Sequence, residues 1–460
     1  GQRVVGELLA AELAGGHPMN RLLQGEVGSG KTVVALRAML QVLDAGRQAV
    51  LLAPTEVLAA QHARSLRDML GAHGRAGELG SAEQATQIVL LTGSLPARAR
   101  KQALLDAASG AAGIVVGTHA LIQDRVSFAE LGLVVVDEQH RFGVEQRDAL
   151  RGRAAEGTSP HVLVMTATPI PRTVAMTVYG DLEISALREL PSGRSPIATT
   201  VVPVGEKPGW LDRVWRRITE EVAAGRQAYV VCPRIGGVDA AGEDRASADT
   251  VSEDSERPPL AVLDLVPQLD EGPLAGLRLG VLHGRLPGTD KDAVMRSFTA
   301  GEIDVLVATT VIEVGVDVPN ATVMVIMDAQ RFGVSQLHQL RGRVGRGSHP
   351  GLCLLVTDFP AGSAARERLD AVAATTDGFE LAQRDLELRR EGDVLGAVQS
   401  GRRSGLKLLS LLGDADLIGQ AREAAQRLVQ ADPELSAHPG LARLAADLLD
   451  EQSAQFLQKV

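Results

Sequence analysis

At 460 residues the chain exceeds what one hydrophobic core organises, and ordinary domain sizes predict about three units. With 45% hydrophobic and 23% charged residues it reads as an ordinary globular chain, with no apolar run as long as a membrane span and no signal peptide. The net charge of −10, from 47 Lys and Arg against 57 Asp and Glu, argues at first sight against a polyanionic partner.

The chain starts at Gly1 rather than Met, inside a helical pattern, and is expected to be a portion of something longer. Its organising stretch is Gly25-Glu26-Val27-Gly28-Ser29-Gly30-Lys31-Thr32, which fits the G-x-x-x-x-G-K-[ST] phosphate loop at every fixed position. It follows a short apolar run, Leu22-Leu23, and opens a helical pattern through Val33, Leu36, Leu40 and Leu43. Glycines let backbone N–H groups turn inward onto phosphate oxygens beside a helix N-terminus that already favours anions. Lys31 is expected to reach the outer phosphates and the Thr32 hydroxyl to ligate Mg²⁺. The alternative is an ordinary Gly-rich strand-to-helix turn, which the full match disfavours.

Up to about residue 190, short β-branched runs alternate with helical patterns. Strands are predicted at 21–24, 49–53, 88–92, 113–118, 133–137 and 162–166. Unbroken Val, Leu and Ile runs separated by helices predict a parallel sheet covered on both faces, with ligands at the carboxyl ends of the strands. The polar motifs fall at those ends. Asp137-Glu138-Gln139-His140 follows Leu133-Val134-Val135-Val136 and leaves two carboxylates at a strand tip. Behind a phosphate loop, Asp137 is placed to hold Mg²⁺ and Glu138 to orient or deprotonate the attacking water. Alone, such a pair is an ordinary solvated loop start. Thr166-Ala167-Thr168-Pro169 ends the next strand. It reads either as a Pro-terminated turn or as a relay from nucleotide to substrate, and the residues leave both open.

Pro191-Ser192-Gly193-Arg194-Ser195-Pro196 reads as a hinge, after which a second alternating set is predicted at 229–232, 279–283, 305–309, 323–327 and 352–357. Cys232 and Cys353 lie within these apolar runs and are expected as buried small hydrophobes in a reducing cytosol, not as a disulfide or metal site. Residues 236–258 hold seven acids against Arg245 and Arg257, a balance of −5 and half of the whole excess. Without apolar periodicity, this stretch is expected to be a disordered insertion, and the near-neutral remainder leaves room for a basic groove. Gln339-Leu340-Arg341-Gly342-Arg343-Val344-Gly345-Arg346 is expected at a helix start, with Arg343 and Arg346 projecting from one side as bidentate phosphate ligands. If the two units close on each other, both arginines enter the first unit's site as arginine fingers. Any lone R-x-x-R is also readable as a solvated basic turn.

Together these blocks resemble the two-lobed motor of superfamily 2 DNA helicases over essentially the whole chain. The runs Asp137-Glu138-Gln139-His140-Arg141-Phe142-Gly143-Val144 and Thr168-Pro169-Ile170-Pro171-Arg172-Thr173, with Thr310-Val311-Ile312-Glu313-Val314-Gly315-Val316-Asp317-Val318-Pro319, are similar to the RecG family. Transcription-repair coupling translocases share most of the blocks, but Ser29 and Gln139 favour the RecG family. The resemblance implies an α/β fold of two tandem RecA-like lobes plus a C-terminal helical hairpin and helical domain. Its divisions fall at 1–190, 191–358 with the acidic insert 236–258, 359–404 and 405–460.

The resemblance also implies site roles. Lys31, Asp137, Glu138, Gln339, Arg343 and Arg346 are catalytic, with Mg²⁺ on Thr32 and Asp137. ATP lies on residues 25–32, and Gln2 is the remnant of an adenine-sensing glutamine. Thr55, Thr118, His140, Thr166, Thr168, His283, Thr309, Arg389, Gln399 and Arg402 touch DNA or couple it to the nucleotide. Hydroxyls and amides grip phosphates without reading bases, which suits a motor that passes over any sequence.

Beyond residue 358 a helical pair is expected, followed by the translocation segment from Asp385 to Arg403, and then Leu/Ala-rich helices packing as a small bundle. Arg390-Glu391 and Ala397-Val398 depart from the family's Gly-Pro and Thr-Arg, so other contacts, such as Arg402 and Arg403, are expected there. With only 2% aromatics the chain lacks a stacking platform for single strands, which favours duplex tracking.

The implied activity is that of an ATP-dependent 3′–5′ DNA helicase or duplex translocase. It remodels branched DNA by fork regression and Holliday-junction migration, as a cytoplasmic, nucleoid-associated bacterial monomer that touches no membrane. Single-stranded-DNA-binding protein is a further expected partner. The alternatives are a coupling translocase acting on RNA polymerase and a nucleotide-switched DNA-binding module that does not translocate.

Overall fold

The structure is a computed structural model and describes residues 1–77, 80–118, 121, 126–138, 159–167, 182–189, 196–236, 259–313, 318–388 and 414–447. Residues 1–170 and 181–388 form one compact unit; residues 171–180 and 389–460 form a second.

Among the described residues the first unit holds two parallel sheets. The first contains β1 (Asn20–Gly25), β2 (Gln48–Leu52), β3 (Gln87–Leu91), β4 (Ala112–Gly117), β5 (Leu131–Val136), β6 (His161–Thr166) and β7 (Glu183–Leu187), in the order β3-β4-β2-β5-β6-β1-β7. Side chains alternate between its faces. In β2, Ala49 and Leu51 enter one core with Val34, Met39 and Leu66, whereas Val50 and Leu52 enter another with Val115 and Val136. Covering helices on the first face are α1 (Gln2–Leu13), α2 (Lys31–Asp44) and α3 (Glu56–Leu70), while α4 (Ala97–Ser109) adds Ala103 and Ala107 to the second. Burial on both faces explains the unbroken aliphatic runs.

The second sheet contains β8 (Ile197–Pro203), β9 (Gln227–Val231), β10 (Leu279–Leu282), β11 (Val305–Ala308), β12 (Ala321–Ile326) and β13 (Gly351–Thr357), in the order β10-β11-β9-β12-β13-β8. Its helices are α5 (Gly209–Ala223), α6 (Val262–Asp270), α7 (Gly288–Thr299), α8 (Val334–Arg341), α9 (Ala364–Ala374) and α10 (Gly378–Leu388). Two cores again flank the strands, Val231, Ile326 and Leu355 on one side and Val230, Val325 and Leu354 on the other.

The predicted strands are all present, with ends shifted by a residue or two. Two further strands were not anticipated. β7 pairs with β1, and β8 forms the edge of the second sheet beside β13. Their sequences, E-I-S-A-L and I-A-T-T-V-V-P, mix polar and small residues, because an edge strand buries only part of its surface. Cys232 and Cys353 are free and buried, and burial pushes each thiol up to about 12, so both are inert core residues. In the second unit, the described residues hold α11 (Ala415–Ala431) and a further helical stretch at 439–447. The acidic stretch beyond Gly236 lies outside the described residues.

A candidate nucleotide site between the two sheets

The strand order brings the sequence motifs together. β6 separates β1 from β5, so the phosphate loop leaving β1 and the acidic pair leaving β5 sit two strands apart at the same sheet edge. The loop turns through Gly28 and Gly30, with φ of 85° and 89°, a left-handed conformation that side chains rarely adopt. A Cβ on Gly30 would also overlap the Gln2 carboxamide, which donates to Ser29 O at 2.9 Å. Gln2 therefore braces the loop from α1. Lys31 Nζ donates to Gly25 O at 2.6 Å and to Glu26 O at 3.0 Å.

Asp137 Oδ1 accepts from the Glu138 amide at 3.1 Å, and its Oδ2 lies 2.7 Å from His62 Nε2. Burial opposes the Asp137 charge, but the His62 hydrogen bond, the charges of His62 and Lys31 and the Glu138 amide outweigh it, and its pKa lies below the ordinary value. Glu138 is shifted the other way, raised by burial and then by Asp137, while Lys31, Arg343 and the Ala167 amide pull it down. Its φ of 54° places a non-glycine residue in left-handed backbone, a conformation that persists where the surroundings over-determine it. Burial likewise lowers Lys31, against the pull of Asp137, Glu138 and Glu26.

Gly28, Gly30, Lys31, Thr32, Asp137, Glu138, Arg343 and Arg346 all line one cavity of about 250 Å³. The arginines reach it from the second sheet, so both halves of the predicted constellation meet. One expectation is corrected. Arg343 and Arg346 do not open a helix; α8 ends at Arg341, and both arginines lie in the turn beyond its Gly342 cap. Gly345, with φ of 68°, turns the chain there, and Arg346 Nε donates back to Gly342 O at 2.9 Å. The turn holds the guanidiniums at the end of a helix whose negative pole suits cations. Gln339 is buried within α8.

The remaining predicted residues lie elsewhere. Thr55 caps α3, its hydroxyl accepting from Leu58 N at 3.3 Å, and it stays half-buried. Thr118, Thr166 and Thr309 are buried at strand tips. His283 is half-buried beyond β10; burial lowers its pKa first, then the neighbouring charges of Arg285 and Lys291. His140, Thr168, Arg389, Gln399, Arg402 and Arg403 lie outside the described residues. Sequence reasoning missed His62 and Gln61, which line the cavity from α3. The only signal was their place on a helix that follows a strand tip.

Comparison with known proteins agrees with this architecture. The profile for DEAD/DEAH box helicases matches residues 7–177, and that for the helicase conserved C-terminal domain matches 260–348. A third profile, ATP-dependent DNA helicase RecG, domain 3, C-terminal, matches residues 375–451. ATP-dependent DNA helicase RecG of Mycobacterium leprae is 58% identical over 460 residues, all of this chain and 61% of that protein. The chain belongs to the RecG family. RecG of Synechocystis sp. is 47% identical over 96% of this chain and 48% of its own length. A solved structure of RecG bound to a three-way DNA junction superposes with a TM-score of 0.70 at 37% identity, covering 91% of this chain and 50% of that one. The chain thus spans about three fifths of the mycobacterial RecG it matches. Among the described residues no helix is long and apolar enough to cross a membrane.

Proposed function

We propose that this chain is the motor of an ATP-dependent DNA helicase of RecG type, a 3′–5′ duplex translocase that remodels branched DNA such as stalled forks and Holliday junctions. The observation that carries the reading is the single cavity lined by a phosphate loop, an Asp-Glu pair and two arginines drawn from two parallel sheets. The coupling translocase is not favoured, since the RecG domain 3 profile covers the region after the second sheet.

ATP is the nucleotide this site fits. Loop amides and Lys31 receive phosphate oxygens, and Gln2, the residue the family resemblance places at the adenine, braces that loop through Ser29 O. The hard oxygens of Thr32 and Asp137 suit Mg²⁺, and the Asp137 carboxylate, kept ionised despite burial, is the charge such an ion requires. When bound, Mg²⁺ neutralises phosphate charge. The chain's own residues do the rest. Glu138, its pKa raised toward the working pH, takes the proton from the attacking water. Arg343 and Arg346 stabilise charge that develops on the transferred phosphoryl group. Gln339, buried in α8, positions that turn.

DNA is gripped through its backbone. His283, Arg285 and Lys291 gather at the tip of β10 and offer phosphate contacts, with Thr55 from the first sheet's α3. Affinity through such contacts falls steeply with salt. We assign the protein to the bacterial cytoplasm, as a monomer, with single-stranded-DNA-binding protein as a further partner. Triplex displacement by the whole protein tests the motor reading. Displacement that survives Lys31→Ala would sink it, and a nucleotide-switched clamp would bind DNA without displacing a third strand.

A further inference from the structure

Glu26 occupies a variable position of the phosphate loop, yet its side chain points away from the cavity into the other half of the unit. Its Oε1 accepts from the Gly378 amide at 2.8 Å, a buried contact across 352 residues, and lies 3.5 Å from His338 Nε2. His338 Nδ1 lies 2.7 Å from Arg341 Nη2. Because arginine only donates, Nδ1 is the acceptor and Nε2 carries the hydrogen that faces Glu26. Arg341 is itself buried and donates from Nη1 to Val372 O at 2.9 Å and Thr375 O at 2.7 Å, at the end of α9. Asp377 caps the next helix, accepting from the amides of Phe379 and Glu380. Gly378 is therefore the first residue of α10, with an amide that helix geometry leaves without an intrahelical partner. The Arg188 guanidinium, from the residue after β7, lies 5.2 Å from the Phe379 ring and adds a second tie at the same helix start.

We propose that Glu26 is a positioning residue that transmits phosphate-loop occupancy to α10. Lys31 Nζ is held by the carbonyls of Gly25 and Glu26, and the γ-phosphate of a nucleoside triphosphate competes for the same ammonium. Loss of Lys31 from Glu26 O frees the Glu26 backbone, and the carboxylate on that residue carries the shift to the Gly378 amide. His338 and Arg341 fix where the carboxylate docks. The translocation segment expected at 385–403 begins within α10, at Asp385. The inference rests on the nucleotide reading of the cavity.

The test is hydrogen exchange of residues 379–388 in the full chain, with and without saturating MgAMP-PNP, so that affinity changes do not enter. Nucleotide is expected to change exchange there by about tenfold, the scale of one charge-assisted hydrogen bond gained or lost. Gly378→Pro removes one N–H at a first-turn position where proline fits, and is expected to abolish the response, while Gly378→Ala preserves it. Glu26→Ala is expected to abolish it as well, and Glu26→Gln, which keeps an acceptor oxygen, to restore it. A full response in Gly378→Pro or Glu26→Ala overturns the coupling. A fluorescent ATP analogue that fails to bind the unmutated chain overturns the nucleotide reading instead.

Discussion

His62 Nε2, on α3, lies 2.7 Å from Asp137 Oδ2, beyond the end of β5. Neither the acidic motif nor the phosphate loop contains this histidine, yet it gives the Asp137 carboxylate its side-chain hydrogen bond. Both side chains are largely buried, at 13% and 14% exposure, so the pair acts with little solvent screening.

Replacing His62 with Ala is expected to lower ATPase kcat about tenfold, the value of one hydrogen bond to a charged group. The pH dependence follows from the direction of the shift. Asp137's folded pKa lies below its ordinary value, so its stabilising contribution is complete above that value and lost as pH falls through the folded one. His62→Ala raises the folded pKa, so urea denaturation between about pH 3 and pH 7 should show stability failing at higher pH in the variant.

Glu138 carries the opposite shift. As a base it must be ionised, so kcat/KM is expected to fall as pH drops through an apparent pKa above the ordinary glutamate range. Glu138→Gln should reduce turnover by about 10²–10⁴-fold while ATP still binds. Its ionisation also opposes folding, so the same substitution should raise Tm more at alkaline than at acid pH. A Tm gain largest at acid pH would reject the assigned shift.

Arg346→Ala is expected to reduce kcat by about 10³-fold with little change in nucleotide affinity, because a finger acts on the transition state. Fluorescent-nucleotide titration beside steady-state ATPase separates the two quantities. Equal loss in both would make Arg346 a ground-state ligand.

Leu51, fully buried in an interior strand of the first sheet, tests the packing that aligns the strand tips. Leu51→Ala should destabilise by about 2–5 kcal/mol in denaturant unfolding. It should also weaken ATPase activity, since β2 neighbours β5, which carries Asp137 and Glu138 at its tip.

Much of this protein was legible before any coordinate. Aliphatic runs such as Leu133–Val136 announced buried parallel strands, because a strand covered on both faces needs apolar side chains at every position. Gly28, Gly30, Lys31 and Thr32 fit the phosphate-loop pattern, which sets those residue types within one turn of backbone, and all four line the cavity. Sequence by itself determined most of the local elements, the placing of polar motifs at the strand tips and the family. The edge strands β7 and β8 stayed hidden, since partial burial leaves no strong pattern. Tertiary structure alone decided the strand order that sets Lys31 near Asp137, and the turn after α8 that delivers Arg343 and Arg346. It alone paired His62 with Asp137 across 75 residues and Glu26 with Gly378 across 352. Such contacts join groups whose local patterns are independent of each other, and only the packed sheets bring them within hydrogen-bonding distance.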